Sequence, residues 1–286
     1  MTMPIPKHLR DSGVQSPTIR HTWDDWQLAQ VEEPLDDALV QRLARLSQRA
    51  ILAFATGCAE WVAYRFALLD DDPAPWQFLE AAWAMQVHVR YSGYGKGTGW
   101  AEFAAPDDDD GDSVQARWTG PVQGPISRVL IVLESAIQEL AWHGAEDPAA
   151  FSQYVARSAA RIHKLAQHVM PSDVNTFDPW VATVLARLEA SFPVVPGDEL
   201  GDVVPREALD LESDFQIERT EMWVNNFLAH ADRANPFLSD PPAMLEPIED
   251  DADFIGTPYV FDLRADRAAR QASAAGHVHG GAGHDH

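Results

Sequence analysis

Cysteine is nearly missing from this chain. Cys58 is the only one in 286 residues, so no intrachain disulfide can form, and the composition fits a reducing compartment. Basic residues are scarce as well: 21 Lys and Arg stand against 44 Asp and Glu, a formal net charge of −23. A field of that sign disfavours nucleic acid and anionic membranes, because both need cations to neutralise phosphate. Long apolar runs are missing too. The longest apolar stretch, Ala50–Leu69, is interrupted by Glu60 and Arg65 and reads as a buried helix instead of a membrane span. The stretch Met1–Gly13 is polar and lacks the apolar core of a signal peptide. These absences predict a soluble, cytoplasmic protein.

What is present is helical periodicity with abundant tryptophan. Ten Trp residues run from Trp23 to Trp223, and an apolar fraction of 46% excludes global disorder. Leu39, Leu43, Leu46, Ala50, Phe54 and Trp61 recur at helical steps, while Arg42, Arg45 and Arg49 line another face. That pattern predicts a helix from Pro34 to Leu69, starting near Asp36 or Asp37 and bent or divided at Gly57. Further helices are predicted from Pro75 to Ser92, Pro125 to Trp142, onward from Pro148, Asp178 to Ser191, and Ser213 to Ala231. The last opens with Ser213 and Gln216 in capping-box spacing. Gly93–Gly124 reads as a long irregular connection, and only Thr257–Phe261 resembles a strand. The fold class is all-α: one multi-helix domain of about six main helices over residues 35–234. A Pro-containing N-terminal arm (1–34) precedes it. An extended acidic arm with a short helix (235–275) and a disordered His/Gly tail (276–286) follow it.

The charge is unevenly spread. Ser113–Ser191 holds seven acids and six bases, whereas Leu69–Asp112 holds ten against two and Phe192–His286 nineteen against six. The loop Tyr91–Trp100 combines glycines with Tyr91, Tyr94, Lys96 and Trp100 and is followed by Asp107, Asp108, Asp109 and Asp110. The loop fails the phosphate-binding pattern, since Arg90 and Gly97 stand where Gly and Ser or Thr are required. The Asp run fails the EF-hand pattern, with Pro106 at the first ligand position and Arg117 at the twelfth. Together they form a candidate partner-binding surface, read against the simpler alternative of a solvated connector.

The C-terminal His277, His279, His284 and His286 suit a divalent transition metal such as zinc, nickel or copper, because glycines between them impose little geometry. Glu60, Glu80 and Glu134 lie inside apolar helical runs without the Glu-x-x-His motifs of a di-iron bundle; the simpler reading pairs them with Arg65, Arg90 or Arg128. The basic stripe Arg157, Arg161 and Lys164, with His168 a turn on, reads as pairing with the protein's own carboxylates. No Gly-x-Ser-x-Gly elbow occurs, and Cys58 lies in an apolar helix. No catalytic residue set emerges. The expected function is a non-enzymatic acidic interaction protein, of the inhibitor or immunity kind, bound to a basic protein. A metal-handling role through the His tail and a self-assembling subunit that exchanges its arms are the alternatives.

Overall fold

The computed structural model describes residues 3–15, 33–88, 91, 99–104, 122–143, 148–232, 234–238 and 261–280. Ten α-helices lie in these residues: α1 (Lys7–Arg10), α2 (Asp37–Leu43), α3 (Gln48–Phe66), α4 (Ala74–Val87), α5 (Trp100–Phe103), α6 (Gln123–His143), α7 (Pro148–Val169), α8 (Phe177–Ser191), α9 (Thr220–His230) and α10 (Leu263–Gly280). Among the described residues the only β pairing is two isolated bridges, Leu46 with Pro193 and Val195 with Asp198. The chain is an all-α protein.

Helix α3 is the axis. All of its residues, Gln48 to Phe66, are buried, and α4, α6, α7 and α8 pack around it. A helix with no solvent face has no need of an amphipathic pattern, and its small residues Ala50, Ala53, Ala59 and Ala63 let its neighbours approach closely. Gly57 belongs to this packing. A Cβ there would lie 2.5 Å from Leu209 Cδ2 and 3.1 Å from the Trp180 ring, so the glycine admits an indole against the helix backbone without dividing the helix.

The division falls earlier, at 44–47, where the sequence pattern ran on unbroken. Ser47 caps α3 by accepting from the Ala50 N–H (3.3 Å). The Ser47 N–H donates to the Phe192 carbonyl, and those of Gln48 and Arg49 donate to the carbonyls of Glu199 and Leu200. The first-turn donors of α3 are thus satisfied by a chain segment about 150 positions away, a tertiary contact that hydrophobic spacing does not encode. Gly201, at φ +71°, has no room for a Cβ beside Ser47, which makes that segment fit.

The other predicted helices are found, with shifted ends. The Asp36 carboxylate caps α2 through the amides of Ala38 (2.9 Å) and Leu39 (3.3 Å). On α7 the helically spaced apolar stripe Phe151, Val155, Ile162, Leu165 and Val169 is buried. The predicted Ser213–Gln216 capping box does not form. Gln216 is extended and precedes a 3₁₀ turn, Ile217–Arg219, that leads into α9. The final helix runs to Gly280, past the expected arm (235–275) and into the segment expected to be disordered. The predicted irregular connection contains α5, whose Trp100 is fully buried. Residues 3–15 of the expected N-terminal arm join the core, with Met3, Leu9 and Val14 buried. Trp23, Trp26 and the predicted strand up to Val260 lie outside the described residues.

Candidate functional site

The chemistry expected at Tyr91–Trp100 meets a different environment. Tyr91 and Trp100 are buried. The Trp100 indole N–H donates to Ser127 Oγ (3.2 Å), and the ring packs on Phe78, Phe103 and Phe237 at centroid distances of 5.5–5.9 Å. Both aromatics are core residues because they are among the largest apolar surfaces available to cover α4 and α6. Tyr94, Lys96 and Asp107 to Asp110 lie outside the described residues.

The three carboxylates inside apolar helices have specific partners. Glu60 of α3 accepts from the Arg206 Nε and from the Trp83 indole, each at 2.7 Å, so its guanidinium partner comes from a loop far along the chain. Glu80 of α4 accepts from the Asn235 amide (2.9 Å) and the Asp232 N–H (3.3 Å); burial pushes its pKa up, against those hydrogen bonds. Glu134 of α6 accepts from the backbone N–H groups of Trp100 (2.9 Å) and Ala101 (2.8 Å), tethering the start of α5. Each carboxylate ties a loop to the bundle. They do not converge, and no group of three or more potential metal ligands forms among the described residues. Cys58 is buried and its thiol pKa is pushed well up by that burial, which keeps it unreactive.

Among the described residues, the densest constellation of paired charge lies where α10 meets the body, and it was not singled out from the sequence. Arg49, in the first turn of α3, is only 5% exposed. Its Nη1 donates to the Gly201 carbonyl (3.0 Å) and to Asp266 Oδ2 (2.9 Å); its Nη2 donates to the Val87 carbonyl (2.9 Å) and to Asp266 Oδ1 (3.1 Å). This is a bidentate guanidinium–carboxylate pair completed by two main-chain acceptors. Burial, aided by the neighbouring Arg270 charge and opposed by Asp202 and Asp198, lowers the Arg49 pKa to about 9.

One turn away the polarity reverses. Arg270 of α10 donates through Nε to Asp198 Oδ1 (2.7 Å) and through Nη2 to Asp202 Oδ1 (2.8 Å), and it also meets Asp266. Arg267 donates through Nε to both oxygens of Asp202 (2.9 and 3.2 Å). Burial of Asp202 acts to raise its pKa, but the two guanidiniums outweigh it and hold the group below the usual carboxylate range. Just before α10, Phe261 is buried, its N–H donating to Asn225 Oδ1 (2.6 Å) and its carbonyl accepting from Asn225 Nδ2 (2.8 Å). The body thus offers a cation, two anions and an amide clamp in fixed order, matched by Phe261, Asp266, Arg267 and Arg270. Chemically, this arrangement recognises a helix by charge pattern.

The sequence carried a faint signal of it, Asp-Arg-x-x-Arg at 266–270 opposite two glycine-bounded acids, Asp198 and Asp202. Of the predicted metal ligands, His277 and His279 fall within the last turn of α10, and His284 and His286 lie outside the described residues. In the basic stripe of α7, Arg161 pairs with Glu33 (3.2 Å) and Lys164 donates to the Pro34 carbonyl.

No described helix is long and apolar enough to cross a membrane. The chain matches no protein-family model, no curated protein and no solved structure.

Proposed function

We propose that this is a non-enzymatic acidic interaction protein, of the inhibitor or immunity kind, that binds a basic protein partner. One observation carries the reading: many of the few cations are taken up one for one in pairs within the chain, which leaves the large excess of carboxylates to set the outward negative field. Arg42 pairs with Glu189, Arg49 with Asp266, Arg206 with Glu60, Arg267 and Arg270 with Asp202, and Lys7 with Glu212. Arg187 donates to the carbonyls of Ala208 and Asp210. Meanwhile Asp214, Glu218 and Glu221 are exposed around the start of α9, beside Met222, which is 51% exposed. Such a surface speeds encounter with a cationic surface, and the resulting affinity falls with salt.

The test is capture of partners from the native host lysate at low salt, followed by stepwise elution with rising salt. The expected result is one stoichiometric basic protein released at moderate ionic strength. A specific partner whose affinity is indifferent to ionic strength overturns the electrostatic reading.

A further inference from the structure

We propose that α10 is an exchangeable arm: the socket formed by Arg49, Asp198, Asp202 and Asn225 accepts the Phe261–Arg270 segment of a second copy of this chain as it accepts its own. The inference stands on the geometry of the socket and is independent of the acidic-partner reading.

Three observations lead to it. First, the socket is selective. Arg49 takes a carboxylate in a two-point fork, while Asp202 and Asp198 take guanidiniums placed one and four residues further along the same helix. Asn225 clamps the main chain on either side of a buried phenylalanine. Few segments satisfy all four demands, and α10 of any copy does.

Second, the arm detaches without opening the core. Of the α10 residues from Leu263 to Ala272, none is fully buried. Phe261, just ahead of the helix, is the one buried apolar residue of the segment among its described residues, and Leu263 adds a partly buried contact with the core. Leaving the socket empty is nevertheless costly, because Arg49 would lose its two-point carboxylate partner while Asp198 and Asp202 lose their guanidiniums. Exchange for an identical arm removes that cost, whereas simple release does not.

Third, the arm has reach. Twenty-two residues separate Leu238 from Phe261, and a chain of that length spans up to about 75 Å when extended. That is enough to cross to a neighbouring molecule. The same tether sets which state dominates. The covalent link holds the arm near its own socket at an effective concentration of roughly millimolar, so the self-docked form prevails in dilute solution.

Two full-length variants decide the matter. D198N/D202N keeps a normal arm and weakens its socket; R267Q/R270Q keeps a normal socket and weakens its arm. Each variant alone should remain monomeric by light scattering at about 100 µM, as should the wild type, because that lies below the tether's effective concentration. Their equimolar mixture should form a 1:1 heterodimer in which only the normal arm and the normal socket engage. Persistence of monomers in the mixture, with both variants folded by circular dichroism, overturns the proposal. If either variant is unfolded, native mass spectrometry of the wild type with a synthetic peptide of residues 261–280 decides instead. A 1:1 complex at millimolar peptide, lost with a D266N/R267Q/R270Q peptide, supports exchange; no complex overturns it.

Discussion

Helices α3 and α10 are nearly equal in length, 19 and 18 residues, yet they are held by different forces. Every residue of α3 is buried, and the helix is stabilised by apolar packing on all sides. Between Leu263 and Ala272, α10 buries no residue fully; it is rich in Ala and Arg, good helix formers, and is attached by paired charges. The first kind of helix unfolds with the whole domain, because its contacts are shared with every neighbour. The second opens as a separate unit, because its attachments are few and polar. One secondary structure therefore serves as scaffold in one place and as fastening in the other.

The contrast is broken most strongly from the α3 side. Trp180 is buried, packs against Gly57 and donates its indole N–H to the Leu209 carbonyl (3.0 Å). Trp180→Ala should cost about 3–5 kcal/mol of global stability, read as a single cooperative shift in denaturant unfolding. Gly57→Val should cost about 1–3 kcal/mol in the same measurement, since the added carbons meet Leu209 and the Trp180 ring.

Changes at α10 should be smaller and local. Asp202→Asn should leave the global midpoint within about 1 kcal/mol of wild type while speeding amide exchange in α10 alone, because its pair with Arg267 is half-exposed and Arg270 keeps Asp198 and Asp266. A global loss as large as that of Trp180→Ala would erase the distinction between the helices.

Acid sharpens the comparison further. The Asp202 pKa is depressed, so its contribution is present at neutral pH and is lost only as pH falls through a value below the usual carboxylate range. Glu80, raised by burial, behaves in the opposite sense: its contribution is greatest at low pH and declines as pH rises through its elevated value. Glu80→Gln should therefore flatten the pH dependence of unfolding over the range just above the usual glutamate value. Over that range α10 should stay docked, with cleavage by pepsin within 261–280 appearing only at lower pH. Met222→Ser, on the exposed start of α9, should shift stability by no more than about 0.5 kcal/mol.

The legible part of the fold was the part governed by local spacing. The α7 stripe, the α8 start beside Pro179 and the Asp36 cap follow from residues within a turn or two of one another. The break before α3 was invisible because its determinants, Phe192, Glu199 and Leu200, lie far along the chain. Trp100 was misplaced for a related reason: a glycine-rich neighbourhood suggests an exposed loop, but the bulk of an indole overrides it when α4, α6 and Phe237 can enclose it. The socket was hidden by symmetry. Arg42, Arg45 and Arg49 look alike as a helical stripe, yet Arg42 reaches half-exposed Glu189 while Arg49 turns into the interior. Which arginine is buried depends on where α10 lands, and no local pattern states that.

The tether from Glu134 to the start of α5 restricts how this sequence can change over time. Gly99 lies so close to Glu134 Oε1 that a Cβ at position 99 would collide with the carboxylate. A chain acquiring alanine at 99 must therefore shorten or move the acid at 134, and the amides of Trp100 and Ala101 would then need another acceptor. Position 99, thirty-five residues away in sequence, can therefore gain a side chain only where the carboxylate at 134 gives way. In a set of diverged relatives a side chain at 99 should appear only where the glutamate at 134 has been lost or moved.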